Sequence, residues 1–422
     1  MTTEALGRFG GERGKTGEYQ AIALVSSAHF VNHFQHLVWP PLFPLLTATL
    51  GIGFLELGFA LTVASALAVV AQLPVGFLVD RFGSRRLLVI ALILAGLAFI
   101  GFGLAPTYWN LLLAMGLIGL ANSVFHPADY ALLSAKIAPG RLGRAFSIHT
   151  FSGFLGNAVA PVTMLALVAI GGLSLGLIAA GAIALVVAVP LALTRGVDSE
   201  ITPRLAPTLA ADGSPAGRQG MTAILTPGIL ALTGFFVLMS LSSSGISTFS
   251  VVALTSAYGT PLSVANWALT GYLAAQAFGV LAGGVVADMT RRHADVAALG
   301  YAVNACIVLV IGMIALGSVP LVAAMAAAGF LGGLIMPSRD MLVRAAAPPG
   351  AVGRTFGIVT TGFSIAGIMG PLMFGYIMDQ GAPEWVFRAS VIFMVLTALA
   401  AFLGDRRMEA NRRRRAATAA AE

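Results

Sequence analysis

The sequence predicts an all-α membrane protein, with twelve transmembrane helices arranged as two pseudo-symmetric six-helix bundles. Three observations predict it. Only 10% of the 422 residues are charged and 58% are hydrophobic, whereas a soluble chain is roughly 25% charged. Charged interruptions divide long apolar runs, most of them at or above the roughly 20 residues that cross a hydrocarbon core of about 30 Å. The two halves of the chain also repeat one another.

The apolar runs fall at about 20–46, 56–80, 86–105, 108–136, 142–169, 173–194, 228–257, 262–287, 295–316, 319–346, 353–379 and 384–403. Residues 1–19 read as a polar cytoplasmic tail without the apolar core and cleavage site of a signal peptide, so the first span serves as the insertion signal. Residues 20–194 form the first bundle and 228–403 the second. Between them, 195–227 carries Asp198, Glu200, Asp212 and four Pro, and reads as a flexible cytoplasmic linker. A basic tail, 404–422, ends the chain.

Net charge is +7, and its distribution decides what it means. Of the 24 Lys and Arg residues, 22 fall on alternate connections. That asymmetry follows the positive-inside rule and places both termini in the cytoplasm. The basic balance therefore reports topology and not a nucleic-acid partner, while the run Arg412 to Arg415 reads first as a solvated tail with no further role and second as a contact for anionic lipid. Cys306 is the only cysteine, which excludes a disulfide within the chain.

A shift of 210 residues places Gly119, Pro127, Gly143, Arg144, Phe146, Thr150 and Pro161 on Gly329, Pro337, Gly353, Arg354, Phe356, Thr360 and Pro371 without a gap. Two parallel bundles related by an axis along the membrane normal, with a central cavity between them, are the expected result.

One stretch carries a family signature. Gly76 to Leu88 (GFLVDRFGSRRLL) holds four charges between two apolar runs, so it is expected to be a short water-facing loop. Its spacing G-x-x-x-D-R-x-G-x-R, at Gly76, Asp80, Arg81, Gly83 and Arg85, resembles the signature loop between the second and third helices of the major facilitator superfamily of secondary transporters. Ser84 stands where that family usually has a basic residue. A worn copy in the second half keeps Gly284, Asp288 and Arg292. The resemblance implies a cytoplasmic gate, in which Asp80 with Arg81 and Arg85 latches onto the start of the eleventh span near Gly353. A carboxylate meeting a helix N-terminus there is worth about 0.3 to 1 kcal/mol.

Ionisable groups inside a span are costly and are functional candidates by default. The first span holds His29, Asn32, His33 and His36; positions 29, 33 and 36 place three imidazoles on one helical stripe. Two readings are open: packed helix contacts, or the lining of a wet substrate and proton cavity. The pattern S-x-x-H-F-x-N in this span, N-S-V-F-H-P from Asn122 to Pro127 and P-G-R-x-G from Pro139 to Gly143 resemble the fosmidomycin-resistance branch of the superfamily. Its members are inner-membrane drug exporters driven by the proton gradient. His33 replaces the Asp usual in that branch, and a histidine still exchanges protons near neutral pH.

The fourth span adds His126, Asp129 and Tyr130 after Asn122, and the tenth adds Arg339 and Asp340. Asp129 falls on Arg339 under the 210-residue shift. A salt bridge between them across the cavity is one expectation; a partner for each inside its own bundle is the other. Pro127 and Pro337 are expected to bend their helices beside these charges. Gly367, Gly370 and Pro371 give the eleventh span a face for close approach and a bend; the fifth has Gly153, Gly156 and Pro161.

These residues favour a proton-coupled antiporter that exports small organic compounds by alternating access, acting as a monomer in the bacterial inner membrane. Its partners would be a small-molecule substrate, protons and membrane lipid. A symporter taking up an organic acid or sugar-like nutrient is the alternative direction. Transition-metal export from the first-span histidines is a third class, although no Cys or Glu joins them, so no metal site is assigned. A receptor or scaffold would need a further domain that is not seen. No phosphate loop, HExxH or nucleotide-binding motif is present, so neither an enzyme nor a bound cofactor is expected.

Overall fold

The computed structural model describes residues 3–194, 226–348 and 352–421. All described regular structure is helical. The chain separates into two compact units, Met1–Ala206 and Pro207–Glu422. In the first lie α1 (Thr3–His36), α2 (Phe43–Leu50), α3 (Phe54–Phe82), α4 (Ser84–Leu104), α5 (Tyr108–Lys136) and α6 (Pro139–Leu193). In the second lie α7 (Pro227–Ser244), α8 (Ser250–Tyr258), α9 (Leu262–Met289), α10 (His293–Met313), α11 (Ser318–Ala346), α12 (Val352–Asp379) and α13 (Trp385–Ala421).

Ten helical segments among the described residues are long and apolar enough to cross a membrane, and two local features reconcile them with twelve crossings. α6 has 55 residues, roughly 80 Å at 1.5 Å per residue and more than twice a hydrocarbon core. It breaks at Gly171 and at Gly172, whose φ of 73° and ψ of −173° are open to glycine. The fifth and sixth crossings meet there. The first crossing is interrupted: α1 stops at His36, a 3-10 turn follows at Pro40–Leu42, and α2 completes the passage. Pro40 and Pro41 have no N–H to continue a helical ladder, so the expected unbroken span 20–46 is corrected to two helices. Gly51, at φ 65°, closes α2 by donating to the Thr47 carbonyl at 3.0 Å.

The seventh crossing is interrupted at nearly the same depth of the repeat. A π-helical turn, Gly245–Phe249, joins α7 to α8; a shift of 210 carries Pro40 to Ser250, the next residue. At Gly245 a Cβ would come within 2.6 Å of the Phe374 ring, so the turn brings two helices together where only glycine fits.

Each unit packs in the same order. In the first, α1 lies on α6, α3 on α5, and α4 on both α5 and α6; in the second, α7 lies on α12, α9 on α11, and α10 on both α11 and α13. Equivalent glycines make the equivalent contact. A Cβ at Gly119 would meet the backbone of Ala64, and one at Gly329, 210 residues later, the carbonyl of Tyr272. Gly329→Ala is therefore expected to cost about 1–3 kcal/mol by overpacking. Gly101→Ala, with nothing within 4 Å of its Cβ, should cost little; thermal unfolding of the two purified variants checks the difference.

The stretch Gly76–Leu88 is not the loop expected of it. α3 continues to Phe82 and α4 begins at Ser84, because Asp and Arg at helix ends are solvated without unwinding the backbone. Only Gly83, at φ 86°, stands between them. Gly76 and Gly284 are helical residues within α3 and α9, and a Cβ at either meets nothing within 4 Å. Arg85 donates to the carbonyls of Ala192 at 2.7 Å and Leu191 at 3.3 Å. A cation thus caps the last turn of α6, where the helix dipole is negative. Asp80 and Arg81 are exposed, with the Arg81 guanidinium 5.4 Å from the Phe82 ring centre. In the second copy Asp288 lies one residue from the end of α9, and Arg292 pairs with Asp295 at 3.4 Å.

The expected start of the eleventh span near Gly353, the latch partner of Asp80, falls in the first turn of α12, directly after residues 349–351, which lie outside the described residues. So do residues 195–225 of the expected linker. The stretches expected as tails are helical where described: α1 begins at Thr3 and α13 runs to Ala421. In α12, Gly362 and Gly370 face α7 closely, with Cβ positions 2.8 Å from Phe236 and from Ser244; Gly367 lies between them and Pro371 follows within the helix.

Candidate functional site

Five of the six histidines come together inside the first unit. Three helices supply them. α1 contributes His29, His33 and His36 from its stripe, α5 contributes His126, and α6 contributes His149. His29 is buried, His33 half-buried, and His36 exposed, so the stripe runs from the core outward.

Asp129 is the centre of the group and is fully buried. Its Oδ2 lies 3.2 Å from His29 Nδ1 and 3.6 Å from His149 Nε2. Neither approach is aligned as a hydrogen bond, since both Asp129 oxygens, His29 Nδ1 and both His149 nitrogens are buried without hydrogen-bond partners. Ring centres of His29 lie 3.8 Å from His149, 4.4 Å from His33 and 5.5 Å from His126. A bare carboxylate in such a place costs many kcal/mol. A proton on the carboxyl, an imidazolium or a bound cation must therefore neutralise it.

Local sequence explains the convergence. Pro127 in α5 has no N–H for the Ser123 carbonyl four residues back, so the turn from Ser123 to Pro127, which carries His126, lacks one helical hydrogen bond. Ser152 on α6 donates to its own His149 carbonyl at 2.7 Å and to Ser26 of α1 at 3.0 Å. Gly153 and Gly156 let α6 close on α1: a Cβ at Gly153 would sit 2.8 Å from the His29 ring, and one at Gly156 would strike the Phe30 carbonyl. Asn32 donates to Asn122 at 3.1 Å, tying α1 to α5. At the margin Tyr130 is exposed; its ring stacks on the exposed His126 at 6.0 Å and meets His149 edge-on at 5.8 Å.

The second unit builds the equivalent site with the opposite charge. Arg339 is buried, its guanidinium 5.0 Å from the Phe236 ring centre and 5.5 Å from that of Phe363. It pairs with the neighbouring, half-exposed Asp340 at 2.9 Å and reaches Met239 Sδ at 3.6 Å. Subtracting 210 from Phe236, Met239, Arg339 and Phe363 gives Ser26, His29, Asp129 and Gly153. The three positions that hold the base in the second half, Phe236, Met239 and Phe363, correspond in the first half to Ser26, to the Asp129 neighbour His29, and to Gly153, which packs on the His29 ring. Each charge has neighbours inside its own bundle: Asp129 lies among imidazoles, and Arg339 is held by Asp340 and two aromatic faces.

Sequence reasoning brought forward Asp129 and four of the histidines but missed His149, Phe236, Met239 and Phe363. His149 had a usable signal, because it lies within the expected span 142–169 and is ionisable. The aromatic clamp had none beyond the repeat itself.

The family model described as Major Facilitator Superfamily matches residues 25–253 and 230–421. The fosmidomycin resistance protein of Escherichia coli (strain K12) is 24% identical over 391 residues, 92% of this chain and 93% of that one. An uncharacterized MFS-type transporter of Bacillus subtilis (strain 168), YfnC, is 29% identical over 157 residues, 37% of this chain and 38% of that protein. Among solved structures, a bacterial homolog of the human lysosomal transporter Spinster matches with a TM-score of 0.78 at 16% identity, covering 92% of this chain and 97% of that one. With the duplicated helix order and the family model covering nearly the whole chain, the protein belongs to the Major Facilitator Superfamily and is a multi-pass membrane transporter.

Proposed function

We propose that this transporter is a proton-coupled antiporter that exports small organic compounds by alternating access. One observation carries the reading: Asp129, fully buried in a membrane-crossing bundle, sits against two imidazoles without a hydrogen bond to either oxygen. A carboxyl so placed is a proton site by default. His29 and His149 share the proton with it; His33, His36 and His126 pass protons or substrate along the line toward the exposed Tyr130. Arg339, in its aromatic clamp, attracts an anionic part of the substrate. Likeness to the fosmidomycin resistance protein over 92% of the chain, at 24% identity, supports export of a fosmidomycin-like compound.

The distribution of Lys and Arg supports both termini in the cytoplasm of a bacterial inner-membrane protein; the same reading takes the working unit as a monomer. The sequence spacing also supports a gate role for Asp80, Arg81, Gly83 and Arg85 and their second copy.

Direction and coupling are read together in vesicles loaded with fosmidomycin and diluted into drug-free buffer. Antiport draws protons in and the lumen acidifies. Alkalinisation of the lumen would mean symport instead, and no pH change would remove proton coupling for this compound. In an efflux-deficient bacterium, expression is expected to raise fosmidomycin resistance several-fold, with the gain lost on adding a protonophore.

A further inference from the structure

Three donor atoms converge on one buried point of the first unit without bonding to one another. His29 Nδ1 and His149 Nε2 lie 3.2 and 3.6 Å from Asp129 Oδ2, and the three side chains place one donor atom each within 4.8 Å of one another. They come from α1, α5 and α6, so no single-helix periodicity explains their meeting. Side chains that satisfy one another settle into aligned hydrogen bonds; here both imidazoles and the carboxylate keep buried atoms without partners.

A metal ion supplies what is missing. Bonds of about 2.0–2.1 Å to imidazole nitrogen and carboxylate oxygen space tetrahedral ligands roughly 3.3 Å apart. The two N–O separations bracket that spacing, so an ion seats with side-chain shifts of a few tenths of an ångström on those edges. We infer that His29, Asp129 and His149 form a binding site for a divalent transition-metal ion. His33, whose ring lies 4.4 Å from that of His29 and whose own Nδ1 is buried without a partner, stands ready as a fourth ligand. Two or three imidazoles with one carboxylate suit zinc, cobalt, nickel or copper, whereas calcium and magnesium are held by oxygen donors. The trio differs from the helical stripe His29, His33 and His36: Asp129 and His149 replace the outer two, and His36 is exposed.

The site shares its three side chains with the proton reading, so metal and proton compete for Asp129, but the two are tested apart: metal binding is measured on the purified chain with no substrate or proton gradient. The full-length protein, free of any affinity tag and stripped of metal, is titrated with cobalt(II) in detergent and followed by its visible absorption. A single saturable cobalt per chain is expected, displaced by zinc but not by calcium or magnesium. Asp129→Asn and His149→Gln should each weaken binding at least about tenfold, while His293→Ala, the sixth histidine, leaves it unchanged. Gel filtration reports whether each variant is folded, and His29→Gln carries the test if either of the others is not. No saturable cobalt spectrum in the wild type overturns the inference, as does equal affinity in the wild type and the folded triad variants.

Discussion

Asp129→Asn is expected to reduce fosmidomycin-driven proton movement to the level of protein-free vesicles while leaving the protein folded. The substitution keeps the shape of a side chain with no exposed surface and removes its ability to hold a proton or a charge. Stability should change little or improve, because a buried carboxyl without hydrogen bonds on either oxygen is itself a burden. The separation matters: a structural residue would lose transport and stability together. Thermal unfolding of the variant, run beside the flux assay, checks that the two diverge.

Charge exchange is expected to fail. Asp129→Arg places a guanidinium against His29 and His149, in a space already tight enough that a Cβ on Gly153 would lie 2.8 Å from the His29 ring. Arg339→Asp strips the cation from Phe236 and Phe363 and sets a second carboxylate beside Asp340. An uncompensated buried charge costs about 3–5 kcal/mol, and loss of a desolvated cation–π contact adds about 2 kcal/mol. Each single variant should therefore accumulate poorly in membranes. The double variant should be worse than either, since each new charge still meets the wrong neighbours within its own unit. Recovery of expression or transport in the double variant would show that the two residues pair with each other.

Much of the fold was legible because hydrocarbon thickness is a strict ruler. The span expected at 108–136 coincides with α5, Tyr108–Lys136, where a Pro-Thr turn and a lysine mark both ends. Legibility ended where the helix state depends on more than apolarity. Asp80 and Arg81 stay helical with Phe82, so the signature stretch narrows to Gly83. The Pro40–Pro41 interruption lies inside an apolar run, and hydropathy does not register it. The π turn at Gly245 is set by Phe374 and Ser390 from other helices.

The site shows the same boundary. His29, His33 and Asp129 stand out as ionisable groups in apolar spans, and the rule that found them also covers His149. What the linear repeat could not supply was the identity of the facing residues. It aligns Asp129 with Arg339, and a bridge between them follows only if neither has a nearer partner. Packing supplies near neighbours within each unit: His29 and His149 beside the acid, and Phe236, Met239, Phe363 and Asp340 beside the base. Duplication preserved the place of the site, and substitution reversed its charge.

Proton binding at Asp129 is tested most directly by pH-induced infrared difference spectroscopy of the purified protein, reading the carbonyl stretch of a protonated carboxylic acid. A band that appears and disappears with pH in the wild type, is absent from Asp129→Asn and persists in Asp340→Asn is the predicted result. The same titrating band in Asp129→Asn as in the wild type would contradict it.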